Sequence, residues 1–213
     1  MSFVSPARLL LTHGYFLDSD AKEQKIMKPY APLGLLYLSS HLRAKGYPVE
    51  IYDSTFGSMA EIRAQLGAGE PGVLGIYGNL MTRPNVLALI EAGRAAGWRV
   101  VLGGPEPANY AAQYLDAGAE VIVAGEGEIA LERLLASHPL ESIPGIIFRA
   151  SDGGIIKTGP ARQIRDLDAQ PWPDRERIDL NRYMETWRQH HGAGSLSVIT
   201  ARGCPYQDRK SVV

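Results

Sequence analysis

The chain has a single cysteine in 213 residues. That excludes a disulfide scaffold and any metal site built from its own cysteines alone. It also lacks charge of one dominant sign. The 22 Lys+Arg oppose 23 Asp+Glu, a formal charge of −1, which gives no bulk electrostatic basis for a nucleic-acid or anionic-membrane partner. Long hydrophobic runs are missing too: no stretch approaches the roughly 18 apolar residues of a membrane span. The run Leu9-Leu10-Leu11 is too short for the core of a signal peptide. The expectation is a soluble cytoplasmic protein. With 23 glycines and 14 prolines the chain is not of low complexity. Its 45% apolar content can build a core, and its length suits one domain plus the start of another.

What is present is an alternation of short apolar runs and helical periods. Residues 8–13, 49–53, 73–77, 99–102 and 120–124 read as strands. Residues 33–45, 58–67, 84–96, 108–117 and 127–137 read as the helices that follow them, with Gly46, Gly97 and Gly118 as stops. Five strand–helix units predict an α/β, doubly wound (flavodoxin-like or Rossmann-like) five-stranded parallel sheet, covered on both faces, in the order 2-1-3-4-5. The pattern then changes. Residues 145–149 and 155–157, around Ser151-Asp152-Gly153-Gly154, predict a β-hairpin. Residues 159–178, with Pro160, Pro171 and Pro173, read as an extended linker. Residues 179–190 read as a helix and 195–200 as a new strand.

In an open α/β sheet a ligand sits beyond the carboxyl ends of the strands. That selects the loops after each strand. Strand one ends His13-Gly14, and His13 is a conceivable cofactor or metal ligand, although a lone histidine there is more often structural. The loop after strand three, Tyr77-Gly78-Asn79-Leu80-Met81-Thr82, mixes backbone, amide, hydroxyl and apolar groups, which suits a large amphipathic ligand. Thr82 also fits a helix N-cap before Arg83 and Pro84. The loop after strand four, Gly103-Gly104-Pro105-Glu106-Pro107, would let backbone approach a bulky ligand. The loop after strand five, Gly125-Glu126-Gly127-Glu128, formally matches a dinucleotide fingerprint. Its two carboxylates would repel a pyrophosphate, and acids at a helix start are explained by the helix dipole. His41, His138, His190 and His191 are scattered, and no residue reads as a catalytic acid, base or nucleophile.

The order of motifs resembles the N-terminal part of cobalamin-dependent radical S-adenosylmethionine enzymes, the group that includes anaerobic magnesium-protoporphyrin monomethyl ester cyclase. The matching stretches are Lys28-Pro29-Tyr30-Ala31-Pro32-Leu33-Gly34-Leu35-Leu36-Tyr37-Leu38, Val101-Leu102-Gly103-Gly104-Pro105-Glu106-Pro107 and Gly125-Glu126-Gly127-Glu128. They continue with Ile143-Pro144-Gly145-Ile146, Asp168-Ala169-Gln170-Pro171-Trp172-Pro173 and Thr200-Ala201-Arg202-Gly203-Cys204-Pro205-Tyr206. The resemblance implies a cobalamin-binding domain at 1–140, a hairpin and linker at 141–194, and the first strand and loop of a radical S-adenosylmethionine barrel at 195–207.

Cobalamin would be held by His13, Gly14, Tyr77, Gly78, Asn79, Leu80, Met81, Thr82, Gly103, Gly104, Pro105, Glu106, Gly125, Glu126, Gly127 and Glu128. The DxHxxG pattern that supplies a histidine to cobalt fails around His13, where Leu11 and Phe16 take the Asp and Gly positions. No protein histidine on cobalt is therefore expected. Cys204 fits the first position of the family's CxxxCxxC loop, which holds a [4Fe–4S] cluster and S-adenosylmethionine. Asp208 and Ser211 stand where the other two cysteines belong. The fragment is thus expected to bind cobalamin without catalysing the cyclase or methyltransferase reaction of its parent. Residues 208–213 can be encoded by GAT CGG AAG AGC GTC GTG, a common sequencing-adapter string, and are expected to be a non-native tail. The competing reading is a flavodoxin-like binding module without cobalamin.

Overall fold

The computed structural model describes residues 8–203. Cys204 and the 208–213 tail lie outside them. A seven-stranded sheet forms the centre, in the order β2-β1-β3-β4-β5-β6-β7. Its strands are β1 (Leu9–His13), β2 (Val49–Ile51), β3 (Val73–Tyr77), β4 (Arg99–Gly103), β5 (Val121–Val123), β6 (Ile146–Arg149) and β7 (Ile155–Lys157). The first five are parallel, in the expected order. The hairpin adds two strands that the five-stranded expectation placed outside the sheet. β6 runs antiparallel to β5, with Ile122 opposite Ile147, and β7 antiparallel to β6. The reason is an apolar edge: Val121, Ile122 and Val123 are buried, and unpaired they would expose a hydrogen-bonding edge.

Side chains alternate along the strands, so successive residues serve opposite faces. On one face Leu9, Leu11, Val101, Val121 and Phe148 pack with Leu35 and Leu42 of α2 (Leu33–Ala44), after α1 (Ala21–Ile26), and with Leu131, Leu134 and Leu135 of α6 (Glu128–Leu135). On the other face Leu10, Leu74, Val100 and Ile122 pack against α3 (Met59–Leu66), α4 (Arg83–Ala95) and α5 (Ala111–Ala117). Burial on both faces explains why β1 opens with the apolar run Leu9-Leu10-Leu11. Ser58 and Glu61 close a capping box at the start of α3.

The linker does not hang free. The Asp174 N–H donates to the Leu36 carbonyl at 3.1 Å, and Ser39 Oγ to Asp174 Oδ2 at 2.9 Å, which fastens it along α2. It leads into α7 (Leu180–His191), capped by Asp179. This helix packs on residues 26–36 and past the end of β2, beside Ile51 and Phe56. Tyr183 is buried against Ala31, Leu33 and Leu36. Trp187 Nε1 donates to the Pro29 carbonyl at 2.6 Å, and His191 Nε2 faces the Ile26 and Met27 carbonyls at 3.0 and 3.1 Å.

Residues 195–200 carry no strand pairing, contrary to the expected strand. Among the described residues no neighbouring strand reaches them. Their apolar side chains stay open, with Val198 72% exposed, and a strand with neither ladder nor covered face has nothing to hold it.

Candidate functional site

The parallel strands point their carboxyl ends at one edge, and there the loops after β3 and β4 meet. The Gly78 N–H donates to the Gly103 carbonyl at 2.9 Å. Gly104 has φ +106°, and a Cβ on it would collide with the Gly78 carbonyl, so glycine is required by the fold itself. Gly103 is different. Its backbone is that of an ordinary strand residue, and a Cβ would meet nothing within 4 Å. Neither conformation nor internal packing calls for glycine there. The bare backbone leaves room for something outside the chain to lie flat against the end of β4.

The surroundings of that space are apolar and outward-facing. Leu80 is 62% and Met81 80% exposed at the tip of the loop after β3. The amide oxygen and the hydroxyl of this loop are consumed within it: Asn79 Oδ1 accepts from the Thr82 N–H at 3.0 Å, and Thr82 Oγ1 from the Asn79 N–H at 3.2 Å. Backbone, apolar side chains and the Asn79 NH2 are therefore what the loop presents. Tyr77, at the end of β3, is partly open. Burial, then the nearby Tyr30, raises its pKa above the ordinary phenol value. Tyr30 is 63% exposed and stacks on Tyr15, with ring centroids 6.4 Å apart at 11°. The prolines on either side of Tyr30-Ala31 restrict the backbone that holds this ring out.

Glu106 lies beneath the platform. Its buried carboxylate accepts from Arg83 Nη2 and from the Tyr114 hydroxyl, and Arg83 lies 4.1 Å from the centre of the Tyr110 ring. Burial and the adjacent Glu106 carboxylate raise the Tyr114 pKa well above its usual value, keeping it a donor. This network stiffens the loop after β4 and leaves Glu106 no free oxygen for a ligand. Gly14 is explained by packing: a Cβ there would lie 2.8 Å from Val86 Cγ2.

His13 sits in a second buried network. The Tyr15 N–H donates to His13 Nδ1 at 3.2 Å, so Nδ1 carries the lone pair and Nε2 the proton. Nε2 then donates to Asp53 Oδ1 at 3.0 Å. Asp53 also accepts the Thr55 N–H at 3.1 Å and, on Oδ2, the Tyr183 hydroxyl at 2.7 Å. Burial opposes charge on Asp53, but the donors from His13, Tyr183 and Thr55 outweigh it and hold its pKa below the ordinary carboxylate value. Both ring nitrogens of His13 are thus committed inside the protein.

The loop after β5 divides. Above Gly125 there is open space, with nothing within 4 Å of a Cβ. Glu126 and Glu128 turn away from it: Glu126 Oε2 accepts the Ile164 N–H at 2.7 Å, and Arg202 Nη1 lies 2.7 Å from Glu128 Oε1. The structure therefore gathers Tyr77, Leu80, Met81, Gly103 and Gly125 along one open edge, while Asn79, Thr82, Glu106, Glu126 and Glu128 are engaged within the chain. Tyr15, Tyr30, Asp53 and Tyr183 were not singled out by sequence as site residues. The proline-bracketed tyrosine was the available signal for Tyr30. No local signal pairs Asp53 with a residue 130 positions away. Among the described residues no group of three or more His, Cys, Asp or Glu could hold a metal ion, and no helix is long and apolar enough to cross a membrane.

The family model of the B12 binding domain matches residues 25–135. The chain is 26% identical over 184 residues to "Uncharacterized methyltransferase sll1242" of Synechocystis sp., covering 86% of this chain and 29% of that protein. It is also 26% identical over 198 residues to "Hopanoid C-3 methylase" of Methylococcus capsulatus, covering 85% of this chain and 36% of that one. Among solved structures, the cobalamin-dependent S-adenosylmethionine radical enzyme OxsB with aqua-cobalamin and S-adenosylmethionine bound superposes with a TM-score of 0.74. The superposition covers 94% of this chain and 27% of that one at 22% identity, a likeness of fold. The chain thus spans about a third of the length of these relatives.

Proposed function

The chain belongs to the B12-binding domain family, and from that premise we propose that it is the cobalamin-holding part of a radical S-adenosylmethionine enzyme of the methyltransferase or cyclase type. The observation that carries the reading is Gly103, a strand-end glycine with open space above it, bordered by the exposed Leu80 and Met81. A flat macrocycle needs such a surface: backbone it can approach closely, and apolar side chains to cover its faces. Cobalamin, when bound, supplies a cobalt centre able to carry a methyl group or to take part in an oxidation. Gly103 and Gly125 would admit the ring, Leu80 and Met81 would cover it, and Tyr30 and Tyr77 would wall one side and exclude water. The names of the two methyltransferase-type relatives and of OxsB support the reaction class.

Incubating the full chain with hydroxocobalamin at micromolar concentration, followed by gel filtration, is expected to give co-elution of protein with the corrin absorption band. Absence of that band would overturn the reading. His13 is committed to Asp53 and to the Tyr15 amide, so cobalt is expected to receive no protein imidazole. The EPR spectrum of the Co(II) form should keep the same nitrogen splitting in His13→Ala as in the unaltered chain. A splitting lost on that substitution would refute this.

A further inference from the structure

The acidic loop after β5 has a use that the cobalamin reading leaves unassigned. Arg202 Nη1 is 2.7 Å from Glu128 Oε1 and 3.8 Å from Glu126 Oε1. On its other side the guanidinium lies 5.1 Å from the centre of the Tyr37 ring, on α2. The Arg202 and Glu128 side chains are only 18% and 6% exposed, so this is not a solvated surface pair. A second point holds the same segment: Arg175 Nη2 donates to the Ser197 carbonyl at 2.6 Å. Glu126 meanwhile fixes the linker through the Ile164 N–H. Residues 195–203 have no strand pairing of their own, so side-chain anchors hold their course. Arginine suits the task, since one planar cation can meet a carboxylate at its edge and an aromatic ring at its face.

We infer that Glu126 and Glu128 are positioning residues that clamp Arg202, and with it the segment 195–203, against the loop after β5, so that the chain leaves the domain beside the ligand edge along a fixed course. Two carboxylates in a loop that formally matches a dinucleotide fingerprint are thereby explained by a cation 74 residues after Glu128 and 76 after Glu126. The bearing on cobalamin rests on the function proposed above. The clamp itself does not, and its test uses no cobalamin.

Trypsin cleaves after arginine only when the side chain can enter the protease, so a clamped Arg202 is a protected site. In the full chain, the double variant Glu126→Gln/Glu128→Gln is expected to be cleaved after Arg202 about tenfold faster, the scale of losing a charge-assisted, largely buried contact. Cleavage after Arg188, in the neighbouring α7, should not change. Glutamine keeps an acceptor for the Ile164 N–H and nearly the same volume. Arg202→Lys keeps the charge and the cleavage site but loses the planar fork, and should fall between the two. Unchanged cleavage after Arg202 in the double variant would overturn the clamp. If Arg188 cleavage rises as well, the variant has loosened globally. The decision then passes to Tyr37→Leu, which removes the other side of the clamp and leaves both acids in place. A faster cut after Arg202 alone supports the inference, and no change refutes it. Failure of cobalamin to co-elute would count against the proposed function and leave these rates untouched.

Discussion

Asp53→Ala is expected to destabilise the domain by about 3–9 kcal/mol, because three buried donors, His13 Nε2–H, the Tyr183 hydroxyl and the Thr55 N–H, lose their acceptor at about 1–3 kcal/mol each. That is comparable to the roughly 5–15 kcal/mol by which domains are stable at all. Urea unfolding followed by circular dichroism measures it, and a loss under about 0.5 kcal/mol, within the range of ordinary surface substitutions, would refute the account. Tyr183→Phe removes one donor and leaves the carboxylate with two, so it should cost less. Asp53→Asn should rescue in part: its amide oxygen can keep the His13 Nε2–H and Thr55 N–H donors, and its NH2 can donate to the Tyr183 hydroxyl, which turns to accept, so that what is lost is the charge.

The sign with pH follows from the depressed pKa of Asp53. The unfolded chain binds this proton at about pH 3.9, and the folded chain only at lower pH. The stabilisation is therefore complete above the unfolded value and is lost as pH falls through the folded one. Asp53→Ala should lack that portion of the acid dependence. Because Tyr183 belongs to α7, the same substitution should loosen that helix from the loop after β2.

Gly103→Ala is expected to behave in the opposite way. The backbone there is ordinary strand, and a Cβ at Gly103 meets nothing in the chain, so the melting temperature should hardly move. Cobalamin affinity should fall by about 5- to 150-fold, the equivalent of about 1–3 kcal/mol for overfilling a packed contact. Equilibrium titration with hydroxocobalamin reads the loss. Unchanged affinity would mean that the macrocycle does not lie over β4. Gly104→Ala is the contrast: φ is +106° and the Gly78 carbonyl stands in the way, so stability falls first and binding only as a consequence.

These two sites differ in how legible they were. The doubly wound sheet could be read from sequence because each parallel strand is buried on both faces and so appears as an apolar run, as Leu9-Leu10-Leu11 does. Gly103 could be singled out for the same reason, standing where such a run ends. The direction of the hairpin could not, since Ile146–Arg149 reads the same beside β5 or apart from it. The strand expected at 195–200 failed because alternation describes a side-chain pattern and cannot supply a neighbour. Asp53 passed unnoticed since a lone aspartate after a short strand is common, and only folding brings it Tyr183. Glu126 and Glu128 were legible as unsuited to a phosphate, but their cation lay in a segment read for its cysteine.

The hairpin also decides what could be transplanted. The stretch from 25 to 135 that matches the B12 binding domain omits β1, which sits between β2 and β3, and stops before β6, which covers the far side of β5. Grafted alone into another protein, that stretch would carry an empty slot in the middle of its sheet and a bare apolar margin at one side. The transferable module is longer at both ends, from Leu9 to Lys157, and its outer border is drawn by two strands that take no part in the ligand edge.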